Sequence, residues 1–184
     1  MCVVYNIIMK IIGISGSLRK DSYNRKLLVA FSRLLPTEFS FEMIEIGEIP
    51  LFNEDVERVG VPASATALCD AIRTADGVVI ATPEYNRTMS ATLKNALEWA
   101  SRTKDGMWDD KKVLVMGATP GTLGTATAQY DLKRVLVYLN AHVFGQPEIM
   151  VGTIHDKMDA DGNIIDQRTK DLLQKAADVF TSLT

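Results

Sequence analysis

Five short apolar runs alternate with five stretches of helical periodicity, and this alternation limits the fold more than any other feature of the chain. The runs are Ile11–Ile14, Phe39–Ile46, Gly77–Ala81, Lys112–Gly117 and His142–Val151, the last expected to bend at Pro147. The first, third and fourth are near-continuously apolar, as strands buried on both faces are. The first helical pattern places Leu27, Phe31, Leu34 and Leu35 at i, i+4, i+7 and i+8 and stops at Pro36. Further helices are expected over Ala63–Ala75, Ser90–Arg102, Thr125–Leu139 and Arg168–Ser182, with Gly47–Pro62 a long loop over the strand ends. Alternation of this kind gives parallel pairing through right-handed crossovers, hence one open α/β sheet with helices on both faces. Five such strands most often take the order 2-1-3-4-5, and ligands then sit at the switch point between strands 1 and 3. The loops after strands 1, 3 and 4 are expected to meet at one mouth.

The loop after strand 1 reads Ser15-Gly16-Ser17-Leu18-Arg19-Lys20-Asp21-Ser22-Tyr23-Asn24. Strand, small hydroxyl-rich loop and helix N-terminus together make a phosphate site. The unpaired N–H groups of the first helical turn face the anion, and the helix dipole favours it. Ser15, Ser17 and Ser22 add hydroxyls, and Arg19 can add a charge-assisted bond. The plainer alternative is an ordinary turn in which Ser22 or Asn24 only caps the helix. The loop is neither G-x-G-x-x-G nor G-x-x-x-x-G-K-[ST], and it has no cysteine nucleophile, so a phosphate held there is bound and not cleaved.

The loop after strand 3 is Pro83-Glu84-Tyr85-Asn86-Arg87-Thr88. Pro83 stiffens the turn, Tyr85 offers a flat face, and Asn86 offers both a donor and an acceptor. A planar heterocycle with carbonyls and ring nitrogens needs those groups. The loop after strand 4, Ala118-Thr119-Pro120-Gly121-Thr122, has small side chains that let a ring approach the backbone. Each could equally be an ordinary turn. Two such loops joining a phosphate loop at one mouth favour a flat, phosphorylated cofactor.

The remaining features narrow the class. The net charge of −3 argues against a nucleic-acid partner. No run reaches the roughly 18–20 apolar residues of a membrane helix. Cys2 and Cys69 are the only cysteines, which fits a reducing, cytoplasmic setting. Residues 1–9 are expected to be an N-terminal extension or a lengthened first strand, and 10–184 a single domain. The first residues lack a basic segment and a small-residue cleavage site, so they read poorly as a signal peptide. His142 and His155 are too few and too far apart for a metal centre or a triad, and no metal is expected. Asp159-Ala160-Asp161-Gly162-Asn163 imitates half a calcium loop but has Ile164 at the sixth position, so a polar turn is expected. Trp99 fits helix packing or a subunit seam, and Trp108 is a candidate cover for the cofactor.

The segments GSLRKDSYNRKL, ADGVVIATPEYN, TLKNALEWAS and AQYDLKRVL resemble the NAD(P)H-dependent FMN reductases, a group that includes flavodoxin-like quinone, chromate and azo-dye reductases. The likeness runs from about Lys10 to the C-terminal helix. It implies a flavodoxin-like three-layer sandwich with bound FMN and with NADPH or NADH as co-substrate. By that resemblance Ser15, Ser17, Leu18, Arg19, Ser22 and Asn24 match the FMN-phosphate loop. Pro83, Glu84, Tyr85 and Asn86 match the segment that holds the isoalloxazine, and Thr119 and Gly121 lie in the loop beside its pyrimidine edge. Relatives are dimers or tetramers, with the LKNALEW helix at the interface. The segment 123–129 departs from the family pattern, with Thr125 and Thr127 standing where a glycine and an arginine are expected.

The expected reaction is a ping-pong, two-electron reduction of quinones, azo or nitro compounds, or metal oxyanions such as chromate. The flavin carries the chemistry, so no protein group is expected to be catalytic in its own right, and Tyr85 and Asn86 shape substrate contact. Two other classes are weighed beside it. An electron carrier or flavin-linked regulator would usually be more acidic than −3. A flavin-free hydrolase or transferase would need a nucleophile or base at the mouth, for which Glu84 is the one acid well placed.

Overall fold

A computed structural model describes residues 8–103 and 105–184. Expectations for residues 1–7, Cys2 included, lie outside the described residues. The elements run β1 (Met9–Ser15), α1 (Tyr23–Ser32), β2 (Phe39–Ile44), α2 (Glu54–Val59), α3 (Ala63–Thr74), β3 (Gly77–Ala81), α4 (Ala91–Ala100), β4 (Lys112–Ala118), α5 (Ala126–Tyr138), β5 (His142–Val143), β6 (Ile149–Val151) and α6 (Gln167–Leu183). The sheet is parallel throughout and ordered β2-β1-β3-β4-β5, the flavodoxin-like order expected.

The strands separate two cores because successive side chains point to opposite faces. Ile12, Ile14, Val78, Ile80, Val113 and Val115 pack with α3, α4 and α5 on one side. Ile11, Val79, Leu114 and Met116 pack with α1 and α6 on the other. β3 is buried at every position, whereas β2 alternates between half-buried and exposed residues, as an edge strand does. Gly77 leaves space for Phe180 of α6, since a Cβ there would stand 2.6 Å from the phenyl ring.

Three expectations are corrected. The stretch 142–151 does not form one bent strand. β5 and β6 pair separately with β4, and the chain leaves the sheet between them, where Pro147 has no N–H to donate. The loop 47–62 contains the short helix α2, whose start is capped by Asn53 accepting from the Asp55 amide at 2.8 Å, with Glu54, Asp55 and Glu57 in the first turn. Trp108 does not cover the mouth. It is buried in the core just before β4, at the N-terminal end of the strands, and its Nε1 donates to the Ala100 carbonyl at 3.1 Å. Trp99 is a packing residue, edge-on to Phe52 and donating to the Pro50 carbonyl at 2.8 Å.

Candidate functional site

β1, β3 and β4 end side by side, with Ser15 paired to Ala81 and Ala81 to Met116, so the three following loops open at one sheet edge. Side-chain ties hold them together. The Asn24 amide donates to the Ala118 carbonyl at 3.1 Å and accepts from the Ala118 N–H at 2.9 Å, joining the first turn of α1 to the end of β4. The Ser90 hydroxyl donates to the Gly16 carbonyl at 2.6 Å while capping α4 through the Leu93 amide, joining loop 1 to the segment after loop 3. Glu84 accepts from the Ala128 N–H at 3.1 Å, joining loop 3 to the start of α5. A Cβ on Gly16 would meet the Ser90 hydroxyl at 3.0 Å and the Pro83 ring at 3.1 Å, so glycine is what lets loops 1 and 3 touch.

Between these loops lies a hollow of about 70 Å³. Eight of the expected residues border it: Ser17, Arg19, Ser22 and Asn24 from loop 1, Pro83, Glu84 and Tyr85 from loop 3, and Thr119 from loop 4. Tyr23, Ala118 and Pro120 complete its wall. Ser15, Leu18, Asn86 and Gly121 do not border it. Ser15 is buried, its hydroxyl bonded to the Ser17 carbonyl and amide at 3.3 Å. Leu18 projects outward, Asn86 lies at a hairpin tip, and the Gly121 carbonyl accepts from Thr153 N at 2.9 Å.

The donors at this hollow suit an anion. Ser22 caps α1 by accepting from the Arg25 amide at 3.2 Å, and its β conformation turns the chain so that α1 starts at the mouth. Among the described residues, no protein acceptor takes the N–H of residues 18–24. The first turn of α1 contains no acidic residue. Among the described residues, the Ser17 hydroxyl donates to no protein acceptor and the Arg19 guanidinium makes no ion pair. This is an N-terminal nest with a hydroxyl and a loose cation, the donor set a phosphate monoester needs. The Asn24 side chain spends its oxygen and one of its two amide hydrogens on Ala118.

Loop 3 is a tight hairpin. Tyr85 and Thr88 exchange backbone bonds of 3.0 and 3.1 Å, and Asn86 and Arg87 both have positive φ, 51° and 68°. Tyr85 is half exposed at the rim. The hairpin is anchored below by the Thr88 hydroxyl, which donates to Asp131 of α5. That bond, assisted by Arg134 and opposed by partial burial, holds the Asp131 carboxyl below its ordinary range. In loop 4, Thr119 donates its N–H to the Val151 carbonyl at 3.0 Å and its hydroxyl accepts from Gly121 N at 3.3 Å, so the loop rests on β6.

Thr125 is buried in the left-handed region at φ 64°, which is unstrained for glycine and strained for a β-branched residue. Its hydroxyl fills the space that Gly117 leaves and accepts from the Gln129 amide at 3.1 Å. Sequence reasoning did not single out Ser90, Gln129 or Thr88. Their signal is tertiary, since each is an ordinary helix or loop residue until its distant partner is known. The polar turn at Asp159–Asn163 is as expected, closed by Asn163 donating twice to Asp159 at 2.8 and 3.0 Å.

A family model described as NADPH-dependent FMN reductase matches residues 9–156. An NAD(P)H-dependent FMN reductase of Pseudomonas aeruginosa is 41% identical over 167 residues, 91% of this chain and 90% of that protein. A 2-hydroxy-1,4-benzoquinone reductase of a Burkholderia species is 40% identical over 175 residues, covering 95% of each. The flavoenzyme NAD(P)H:(acceptor) oxidoreductase FerB of Paracoccus denitrificans superposes with a TM-score of 0.87 at 34% identity, over 95% of this chain and 96% of that one.

Proposed function

The chain belongs to the NADPH-dependent FMN reductase family, and from that premise we propose that the mouth after β1, β3 and β4 is its FMN site, with the phosphate on loop 1 and the ring across loops 3 and 4. The protein is an NAD(P)H-dependent FMN and quinone reductase. FMN held there would supply the redox chemistry of a ping-pong, two-electron transfer between NADH or NADPH and the acceptor.

The chain's own part is to bind and orient. Ser17, the free N–H groups of residues 18–24 and Arg19 hold the phosphate against the positive end of α1. Ser22 sets where that helix begins, and Asn24 fixes its first turn to β4. Ser15 shapes the loop from below and Leu18 shields it from outside. Pro83 and Thr119 line the ring site, and Gly121 steadies loop 4 through its bonds to Thr119 and Thr153. Tyr85 and Asn86 stand at the exposed rim, where they shape the approach of nicotinamide and acceptor. The observation that carries this reading is the free donor set of loop 1 at the switch point of the sheet.

An open rim favours acceptors chosen by potential more than by shape. Azo compounds, nitro compounds and chromate are therefore proposed beside quinones. A homodimer is proposed as well. The hollow is small and open, and a neighbouring subunit's surface would help to enclose a ring there. The outer face of α5 exposes Tyr130, Val137 and Tyr138, next to a groove against Lys94, Leu97, Glu98 and Ser101 on the α4 side. A tetramer would add a second contact, and a cytoplasmic location fits a free, buried Cys69.

The test is direct. Purified protein should be yellow, oxidise NADH or NADPH with benzoquinone and no partner protein, and elute as a dimer. Protein that stays colourless in excess FMN would overturn the reading.

A further inference from the structure

We propose that Glu84 acts on the flavin through α5, as a positioning residue whose carboxylate replaces the missing cap of that helix and lowers the positive potential that its N-terminus would otherwise present to the ring. The inference rests on the proposed FMN site.

α5 has no cap of its own. Thr125, at its N-cap position, is in the left-handed conformation and its side chain bonds no first-turn amide. The first turn contains no acidic residue. The Ala128 N–H is instead taken by Glu84, 44 residues earlier in the chain. A carboxylate at this place is the usual answer to unpaired N–H groups and a positive helix end, but here it is supplied by a different loop. The Glu84 side chain is 13% exposed. Arg87, 3.6 Å from its other oxygen, is 68% exposed and so a solvent-screened counter-charge.

Two consequences follow. The bond fixes Pro83 and Tyr85, the neighbours of Glu84 in the wall of the hollow, to a long helix. It also places a formal negative charge beside the ring site, where an anionic reduced flavin would develop. Removing the bond should loosen loop 3. Removing the charge alone should make the bound flavin easier to reduce, since the uncompensated end of α5 favours the anion.

Glu84→Gln and Glu84→Ala separate the two. Gln keeps an oxygen that can accept from Ala128 and loses the charge, whereas Ala loses both. FMN affinity is measured by fluorescence titration of apo-protein, and the reduction potential of bound FMN by dye equilibration. Glu84→Gln should bind FMN within about threefold of the unsubstituted protein and show a more positive potential. Glu84→Ala should bind FMN at least about tenfold more weakly. An unchanged potential in Glu84→Gln, equal weakening by both variants, or undiminished affinity in Glu84→Ala would each overturn the proposal. Unsubstituted protein that binds no FMN would overturn the site reading instead, which is a distinguishable result.

Discussion

Two helices are tied by their first turns to the loops of one mouth and are finished in opposite ways. α1 is capped locally by Ser22, has no acid in its first turn and leaves the N–H groups of the preceding loop free. α5 begins at a strained Thr125, has no local cap and takes a carboxylate from Glu84 in another loop. The same backbone physics therefore leaves free donors at one helix, the proposed anion site, and takes up a donor with a carboxylate at the other. The difference is whether the protein itself supplies the negative charge. A free helix end can be given to a ligand only where the fold is held by other bonds, and at α1 Asn24 does that holding.

The largest disturbance should come from the α5 side. In Gly117→Ala the new methyl would lie 1.8 Å from the Thr125 hydroxyl and 2.7 Å from the Thr82 carbonyl. Urea unfolding should show a loss of about 3 kcal/mol, because a buried Cβ would meet backbone that cannot move away. On the α1 side, Asn24→Ala strands the buried N–H and C=O of Ala118 and should cost about 2 kcal/mol by the same measurement. A loss as small as that of a surface substitution would show that the two helices are not tied as the geometry has it.

Arg19→Ala sharpens the contrast, since it touches the proposed anion site and, among the described residues, no structural bond. FMN should bind about tenfold more weakly, a change of about 1.4 kcal/mol in titration, while apo-protein stability stays within about 0.5 kcal/mol. Protein that purifies fully flavin-loaded would remove Arg19 from the phosphate loop.

The smallest effect is in acid. The Thr88 hydroxyl holds the Asp131 carboxyl below the ordinary carboxylate range in the folded protein, against burial and with help from Arg134. A depressed folded value means the stabilisation is present above the unfolded value and is lost as pH falls through the folded one. Asp131→Asn should therefore flatten stability against pH below about 4, with little change near neutrality. An acid limb identical to that of the unsubstituted protein would mean that Thr88 and Asp131 do not anchor the hairpin.

Much of this was legible in the residues. Ile11–Ile14, Gly77–Ala81 and Lys112–Gly117 announce buried parallel strands because both faces must be apolar, and Ser22 announces a helix start because its hydroxyl competes for the first-turn amides. The convergence of loops 1, 3 and 4 followed from strand order alone. The division of 142–151 into β5 and β6 was less visible, since Pro147 forbids a ladder bond without saying how far the chain must leave the sheet. Trp108 misled because exposure of a loop aromatic cannot be judged without its neighbours, and it is buried.

The sequence by itself determined the alternation of strands and helices, the parallel sheet and the three loops at its edge, because periodicity and turn chemistry act over a few residues. Only the tertiary structure decided what each polar side chain at that edge does. Asn24 serves Ala118, Glu84 serves Ala128 and Ser90 serves Gly16 across 94, 44 and 74 residues of chain. A hydrogen bond between distant segments depends on where the fold sets both ends, and no local pattern encodes that.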